Sequence, residues 1–218
     1  MKTRLFTLVA SVFVAASFLV GLGGGTASAA FPDRANGVFV LTSPHSGYCF
    51  APPITIAPVG PSTPYPSTCE VSGMSGSITD IVIEFNFLEH GRPDDLDMLL
   101  VSPGGQTATF LSDALGQTSP SWHCWIVFHD GNPVAPDNVV GNCPSSGNLA
   151  YGPANYEPSP TRRGDLFPPP APAPSGNVDL SVFNGGSPKG TWSLYVVDDK
   201  APFGGATPWN IYIVTTGP

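Results

Sequence analysis

Asp80-Ile81-Val82-Ile83-Glu84-Phe85-Asn86-Phe87 is the stretch on which the fold turns. Ile81, Ile83, Phe85 and Phe87 alternate with Asp80, Glu84 and Asn86, with Val82 the exception, which is the period-two pattern of a strand buried on one face. Leu96-Asp97-Met98-Leu99-Leu100-Val101 reads differently: Leu96, Met98 and Leu100 on one face oppose Leu99 and Val101 on the other. Both faces then meet apolar neighbours, as in a central core strand. Pro103-Gly104-Gly105 supplies a turn and residues 107–111 a returning strand, so a hairpin is expected there.

Working outward, residues 38–41 and 122–128 read as further strands, and residues 179–183 as a strand leading into the C-terminal block. In that block Trp192, Leu194 and Val196 alternate with Tyr195 and Val197, and after a Gly-rich turn Trp209, Ile211 and Ile213 alternate with Tyr212 and Val214. Beyond the N-terminal segment no stretch carries a 3.6-residue apolar period, and 25 Gly and 26 Pro interrupt the chain as a turn-rich all-β protein requires. The Pro-, Ser- and Gly-rich residues 144–176 read as a long, extended surface loop with polyproline character inside one domain.

Lys2 and Arg4, an apolar run over residues 5–22 and Ala27-Ser28-Ala29 form the pattern of a secretory signal peptide, with cleavage expected after Ala29 and no membrane span thereafter. Residues 30–218 suffice for one domain with a sizeable core, and leave no room for a protease of ordinary size beside it. The net charge of −8 excludes nucleic acid and other polyanions as natural partners. Four cysteines in an exported chain predict two disulfides. Three connectivities exist, and the local pairs Cys49–Cys69 and Cys124–Cys143 are favoured because each closes a turn-rich loop. Zinc is disfavoured because no C-x-x-C spacing occurs.

Two blocks carry a family likeness. Residues 77–111 contain His90 and Pro93-Asp94-Asp95-Leu96-Asp97-Met98-Leu99-Leu100-Val101-Ser102-Pro103-Gly104-Gly105, and residues 181–214 contain Gly190-Thr191-Trp192-Ser193-Leu194-Tyr195-Val196-Val197-Asp198. Together they resemble the P domain of the kexin and furin proprotein convertases, also called the P/Homo B domain. The resemblance implies an all-β, jelly-roll-like β-sandwich over residues 77–216, of the P-domain and galactose-binding-like kind. It also implies an accessory role, because that domain supports the folding and stability of a neighbouring subtilisin-like protease domain absent here. Residues 30–76, with Cys49 and Cys69, have no assigned counterpart. His90, Asp95-Leu96 and Asp198 match recurrent P-domain features, whereas Asp94 and Asp97 fall at positions that vary in that family.

The chemistry-bearing residues divide unevenly. Asp94, Asp95 and Asp97, with Asp198 and Asp199 if the two motif strands are neighbours, are candidate calcium ligands, since calcium takes six to eight oxygens from carboxylates and loop carbonyls. Asp95 and Asp97 share a strand face, while Asp94 would have to reach from the preceding turn. A metal-free role, with Asp95 or Asp198 accepting backbone N–H bonds at a turn, stands equally beside it.

The motifs of enzymes are missing. The chain has no G-x-S-x-G elbow, no subtilisin-type nucleophile segment, no H-E-x-x-H and no P-loop, so catalysis by this chain is not expected. Arg163-Gly164-Asp165 spells the tripeptide read by integrins, a match too short to weigh. The expectation is a secreted module that binds or stabilises another extracellular protein, with a subtilisin-like protease as the named possibility. The alternative is a stand-alone cell-surface or carbohydrate-binding module, with Trp122 and Trp125 as surface aromatics.

Overall fold

In the computed structural model the described residues are 39–43, 45–116, 122–138, 149–156 and 165–217, with the backbone alone described for 39–43, 122 and 123. The expected signal peptide and Cys143 lie outside them. The chain forms fourteen strands among the described residues: β1 (Phe39–Ser43), β2 (Ser46–Phe50), β3 (Ile54–Ile56), β4 (Gly60–Pro61), β5 (Ser67–Val71), β6 (Ile78–His90), β7 (Leu96–Val101), β8 (Thr107–Ser112), β9 (Trp122–Phe128), β10 (Leu149–Tyr151), β11 (Ala154–Asn155), β12 (Gly190–Asp198), β13 (Gly205–Thr207) and β14 (Trp209–Thr215). Two short 3-10 turns, Pro93–Asp95 and Leu180–Phe183, complete it. Among the described residues no helix is long and apolar enough to cross a membrane.

The strands divide into two mixed sheets. In sheet A, β6 pairs with β9 on one side and with β14 and β13 on the other, which continue to β2 and β1 and to β3. In sheet B the order is β11-β8-β7-β12, with β4 and β5 beyond β12. Pairing runs outward in nested antiparallel couples, β7 with β8, β6 with β9, β5 with β12 and β2 with β14. A long hairpin wound into two facing sheets gives that order, so the protein is a jelly-roll β-sandwich.

Alternation places the core between the sheets. Ile81, Ile83 and Phe85 from β6, Met98 and Leu100 from β7, Trp192, Leu194 and Val196 from β12, and Trp209, Ile211 and Ile213 from β14 are all buried in one cluster. Phe110 of β8 crosses from sheet B to meet Phe85 and Phe128 of sheet A, with ring centroids 6.3 and 5.4 Å away. Trp209 resolves its one polar atom by donating Nε1–H to Ser67 Oγ at 2.8 Å, again from one sheet to the other. The Cys49–Cys69 disulfide adds a covalent tie between β2 of sheet A and β5 of sheet B. Residues 46–71, unassigned in sequence, thus supply strands to both sheets.

Two readings from sequence are corrected. Residues 179–183 form a 3-10 turn rather than a strand, because the Asp130 carboxylate accepts the backbone N–H groups of Leu180 and Ser181 at 2.8 and 2.7 Å. Phe87 does not share the inward face of Ile81, Ile83 and Phe85. The pairs Phe85–Ile126 and Leu88–Cys124 leave Asn86 and Phe87 together opposite Trp125 alone, a β-bulge that makes Leu88 the next core residue and turns Phe87 outward.

Sheet B carries a third layer. Residues 165–178 form a strap fastened along its outer side: Asp165 bonds Ser112, Pro168 O accepts from Tyr65 Oη at 3.1 Å, Ser175 bonds Thr107, and Asn177 O accepts from Thr109 N. Tyr65 itself packs edge-on against Tyr195, with centroids 4.9 Å apart. Leu99, on the outward face of β7, is accordingly fully buried. Within the Pro-rich stretch, Ala171 N donates to Pro168 O and folds residues 168–171 into a turn.

Candidate functional site

The two motif blocks meet where β6, β7 and β12 end. β12 runs antiparallel to β7 with Val197 opposite Asp97 and Asp198 opposite Leu96. Side chains alternate across a strand, so this register sends Asp97 and Asp198 to opposite faces of sheet B. Asp198 points into the sandwich, and Asp97 points out beneath the strap.

Asp198 and His90 form a fully buried pair, Nε2 to Oδ2 at 2.8 Å, which joins the end of β6 in sheet A to the end of β12 in sheet B. His90 Nδ1 accepts the Arg92 N–H at 3.2 Å, which leaves the Nε2 proton for Asp198. The other Asp198 oxygen accepts the Lys200 N–H at 2.9 Å. Every strong hydrogen-bonding atom of the pair is thereby engaged in holding strand ends. His129 is engaged in the same way, with Nε2 on the Asp80 carboxylate at 3.0 Å and Nδ1 accepting the Gly131 N–H at 3.3 Å.

Asp97 enters a different company. Its carboxylate lies with those of Asp113 and Asp165 in a group whose ligand oxygens all fall within 4.8 Å of one another. The Ser112 hydroxyl is at their centre, 2.7 Å from Asp97 Oδ1, 3.1 Å from Asp113 Oδ2 and 2.8 Å from Asp165 Oδ1. One hydroxyl has one proton and satisfies one carboxylate. The remaining negative charge, under the strap and partly out of water, is held down by protons or by a cation. Burial first, then Asp165, Asp113 and Asp199, push Asp97 up to about 8 against the pull of its Ser112 hydrogen bond.

The donor set is hard and all-oxygen. Asn155 aims its amide at Asp165, Nδ2 to Oδ2 at 2.5 Å, and its own Oδ1 is buried without a hydrogen-bond partner. Three carboxylates and a hydroxyl fit an ion of the calcium type. The cluster could therefore hold a metal ion.

The other predicted ligands stand nearby in separate roles. Asp95 is buried beside Arg92, Oδ2 to Nε at 3.4 Å, and burial raises its pKa to about 6 against the lowering by Arg92. Asp199 donates its backbone N–H to Asp95 O at 3.0 Å, and burial followed by the Asp198 charge raises its carboxyl. Asp94 lies in the 3-10 turn that precedes β7. Of the five aspartates singled out in sequence, only Asp97 belongs to the converging group. Asp113 and Asp165 were missed: Asp165 lies 53 residues from Ser112 in a loop with no carboxylate spacing to mark it. Asp165 is also turned inward, so the acid of the Arg-Gly-Asp tripeptide is committed to the cluster.

Cys124 is disulfide-bonded, while Cys143 falls outside the described residues. The Trp122 side chain is likewise not described, and Trp125 is half-buried beside Phe87 with centroids 6.2 Å apart.

The fold and this cluster define a class, a jelly-roll sandwich with an oxygen-lined loop site at one end of sheet B. No protein-family model matches the chain, and no curated protein matches it. Among solved structures it is similar, at 17% identity and a TM-score of 0.37, to a chain in the crystal structure of an Aeromonas sobria serine protease in complex with a chaperone. The alignment covers 83% of this chain and 26% of that one, so the chain spans about a quarter of that chain's length. A match at this level carries no argument about function.

Proposed function

We propose that the protein is a secreted, non-catalytic P-domain-like module that binds and stabilises another extracellular protein, a subtilisin-like protease being the partner class that its motifs name. The observation that carries this reading is the buried His90–Asp198 pair. The pair comes from the two P-domain-like motifs, one residue from each, and both spend their hydrogen bonds on joining the sheets rather than on a substrate. The Cys49–Cys69 disulfide supports an oxidising compartment and hence export. Calcium at Asp97, Asp113 and Asp165 would neutralise the cluster and fasten the start of the strap to the end of β8.

The test is to express the full chain with a C-terminal tag in its own cell, recover it from the culture medium, and ask whether a subtilisin-like protease co-purifies at fixed stoichiometry. The half-life of that protease at elevated temperature is then measured with and without the module. A retained protease with a lengthened half-life is the expected result. Recovery of the chain alone, or a half-life that does not change, would remove the proposal.

A further inference from the structure

The 3-10 turn at Leu180–Phe183 runs out into an Asn-Gly pair, Asn184-Gly185, and both residues are exposed. Gly185 holds φ at +81°, in the left-handed region, so the turn calls for glycine there. Open space surrounds the point where a Cβ would stand. The fold thereby sets an unhindered backbone N–H directly after an exposed carboxamide, the arrangement from which asparagine deamidates. The chain has one other Asn-Gly pair, Asn36-Gly37, which lies outside the described residues.

Two features of the closed turn hold that reaction off. Attack by the Gly185 nitrogen on Asn184 Cγ closes a five-membered ring, which needs Cβ and that nitrogen eclipsed about the Cα–C bond. Asn184 is instead extended, with ψ at 141°, and keeps them apart. The nitrogen must also lose its proton, and that proton is donated to Ile78 O at 2.8 Å. The bond belongs to a set: Ile78 N donates to Gly186 O at 2.9 Å, Gly186 N to Phe183 O at 3.1 Å and Asn184 N to Ser181 O at 3.0 Å. Asp130 anchors the other end of the same turn through Leu180 N and Ser181 N.

We propose that Asn184-Gly185 is a latent self-modification site, closed in the native fold and released by local opening of residues 180–186. Once the turn opens, hydroxide takes the Gly185 amide proton and the nitrogen forms a bond to Asn184 Cγ. The Cγ–Nδ2 bond breaks, Nδ2 leaves as ammonia with a proton from water, and a succinimide remains. Water then opens the ring at either carbonyl, giving an aspartyl or an isoaspartyl residue. The isoaspartyl form carries an extra methylene in the main chain, just before the bonds that tie Gly185 and Gly186 to the start of β6. The site shares no residue with the acidic cluster and stands independently of the protease-partner reading.

The experiment follows deamidation of Asn184 by peptide mapping of the full exported chain at pH 8. A synthetic peptide of residues 180–188 and the chain unfolded in urea serve as open references, and hydrogen exchange of the Gly185 amide is read in the same buffer. The folded chain is expected to deamidate at least tenfold more slowly than the peptide, and the unfolded chain within threefold of it. The slowing should match the protection of the Gly185 amide within threefold, and D130A should raise both rates by the same factor. A folded chain that deamidates as fast as the peptide overturns the proposal. Slow deamidation beside a freely exchanging Gly185 amide overturns it too, because the backbone angle alone would then hold the ring apart. So does a D130A variant that speeds exchange at Gly185 and leaves deamidation unchanged.

Discussion

At the scale of single residues, the acidic cluster sets the behaviour with pH. Asp97 titrates near 8 in the fold against about 4 in an unfolded chain, so between those values the folded state binds the more protons. Stability without added cation therefore falls as pH rises from 4 to 8, the reverse of an ordinary paired carboxylate, and Asp95 at about 6 acts in the same direction. Calorimetry in chelator should show the melting temperature dropping across that range. Millimolar calcium should restore it most at pH 8 by binding the folded state. Asp165→Asn should abolish the calcium effect and, by relieving repulsion, leave the chelated protein no less stable. A melt indifferent to both calcium and chelator would dispose of the metal reading.

At the scale of elements, polar side chains from distant loops decide what short segments become. Asp130 supplies the cap that makes residues 180–183 a 3-10 turn, and the turn in turn buries Leu180 and Phe183 against the core, Phe183 meeting Trp192 at 5.2 Å. Asp130→Ala should cost about 1–2 kcal/mol in urea unfolding, the usual range for a lost cap, with amide exchange quickening first over residues 180–184. Equal protection in variant and parent would mean that packing alone holds the turn. The same dependence explains the misread strand. The apolar content of Leu180, Val182 and Phe183 is visible in sequence, whereas the partner of their backbone lies 50 residues earlier.

Close backbone approach leaves its own mark on the elements. Gly205 opens β13 directly against the Glu89 carbonyl of β6, where any Cβ would collide, so a side chain there would push the short strand off sheet A. The β6 bulge is of another kind. Nothing in Asn86-Phe87 announces it, since the alternation continues through Phe87 in sequence, and only the pairing of Leu88 with Cys124 reveals the slip.

At the scale of the whole molecule, the sandwich depends on side chains that reach from one sheet to the other. Phe110 touches two rings of the facing sheet and is fully buried, so Phe110→Ala should cost about 3–5 kcal/mol and lower the midpoint of chemical unfolding without changing its slope. A loss below about 1 kcal/mol would mean that the sheets close over the space. The buried His90–Asp198 pair and the Cys49–Cys69 bridge add polar and covalent ties to the same closure.

The sequence by itself determined the class of fold, the central place of residues 96–101, the inward faces of residues 192–196 and 209–213, and the likeness of the two motif blocks. These follow from period-two burial and local turn chemistry, which each segment carries in its own side chains. Tertiary structure alone decided that Asp97 and Asp198 face opposite ways, that Asp113 and Asp165 complete the acidic cluster, and that Phe87 stands outside the core. Each of those outcomes rests on strand register or on a contact between residues far apart in the chain. A one-residue difference in register reverses the face to which a side chain points, and no local pattern records it.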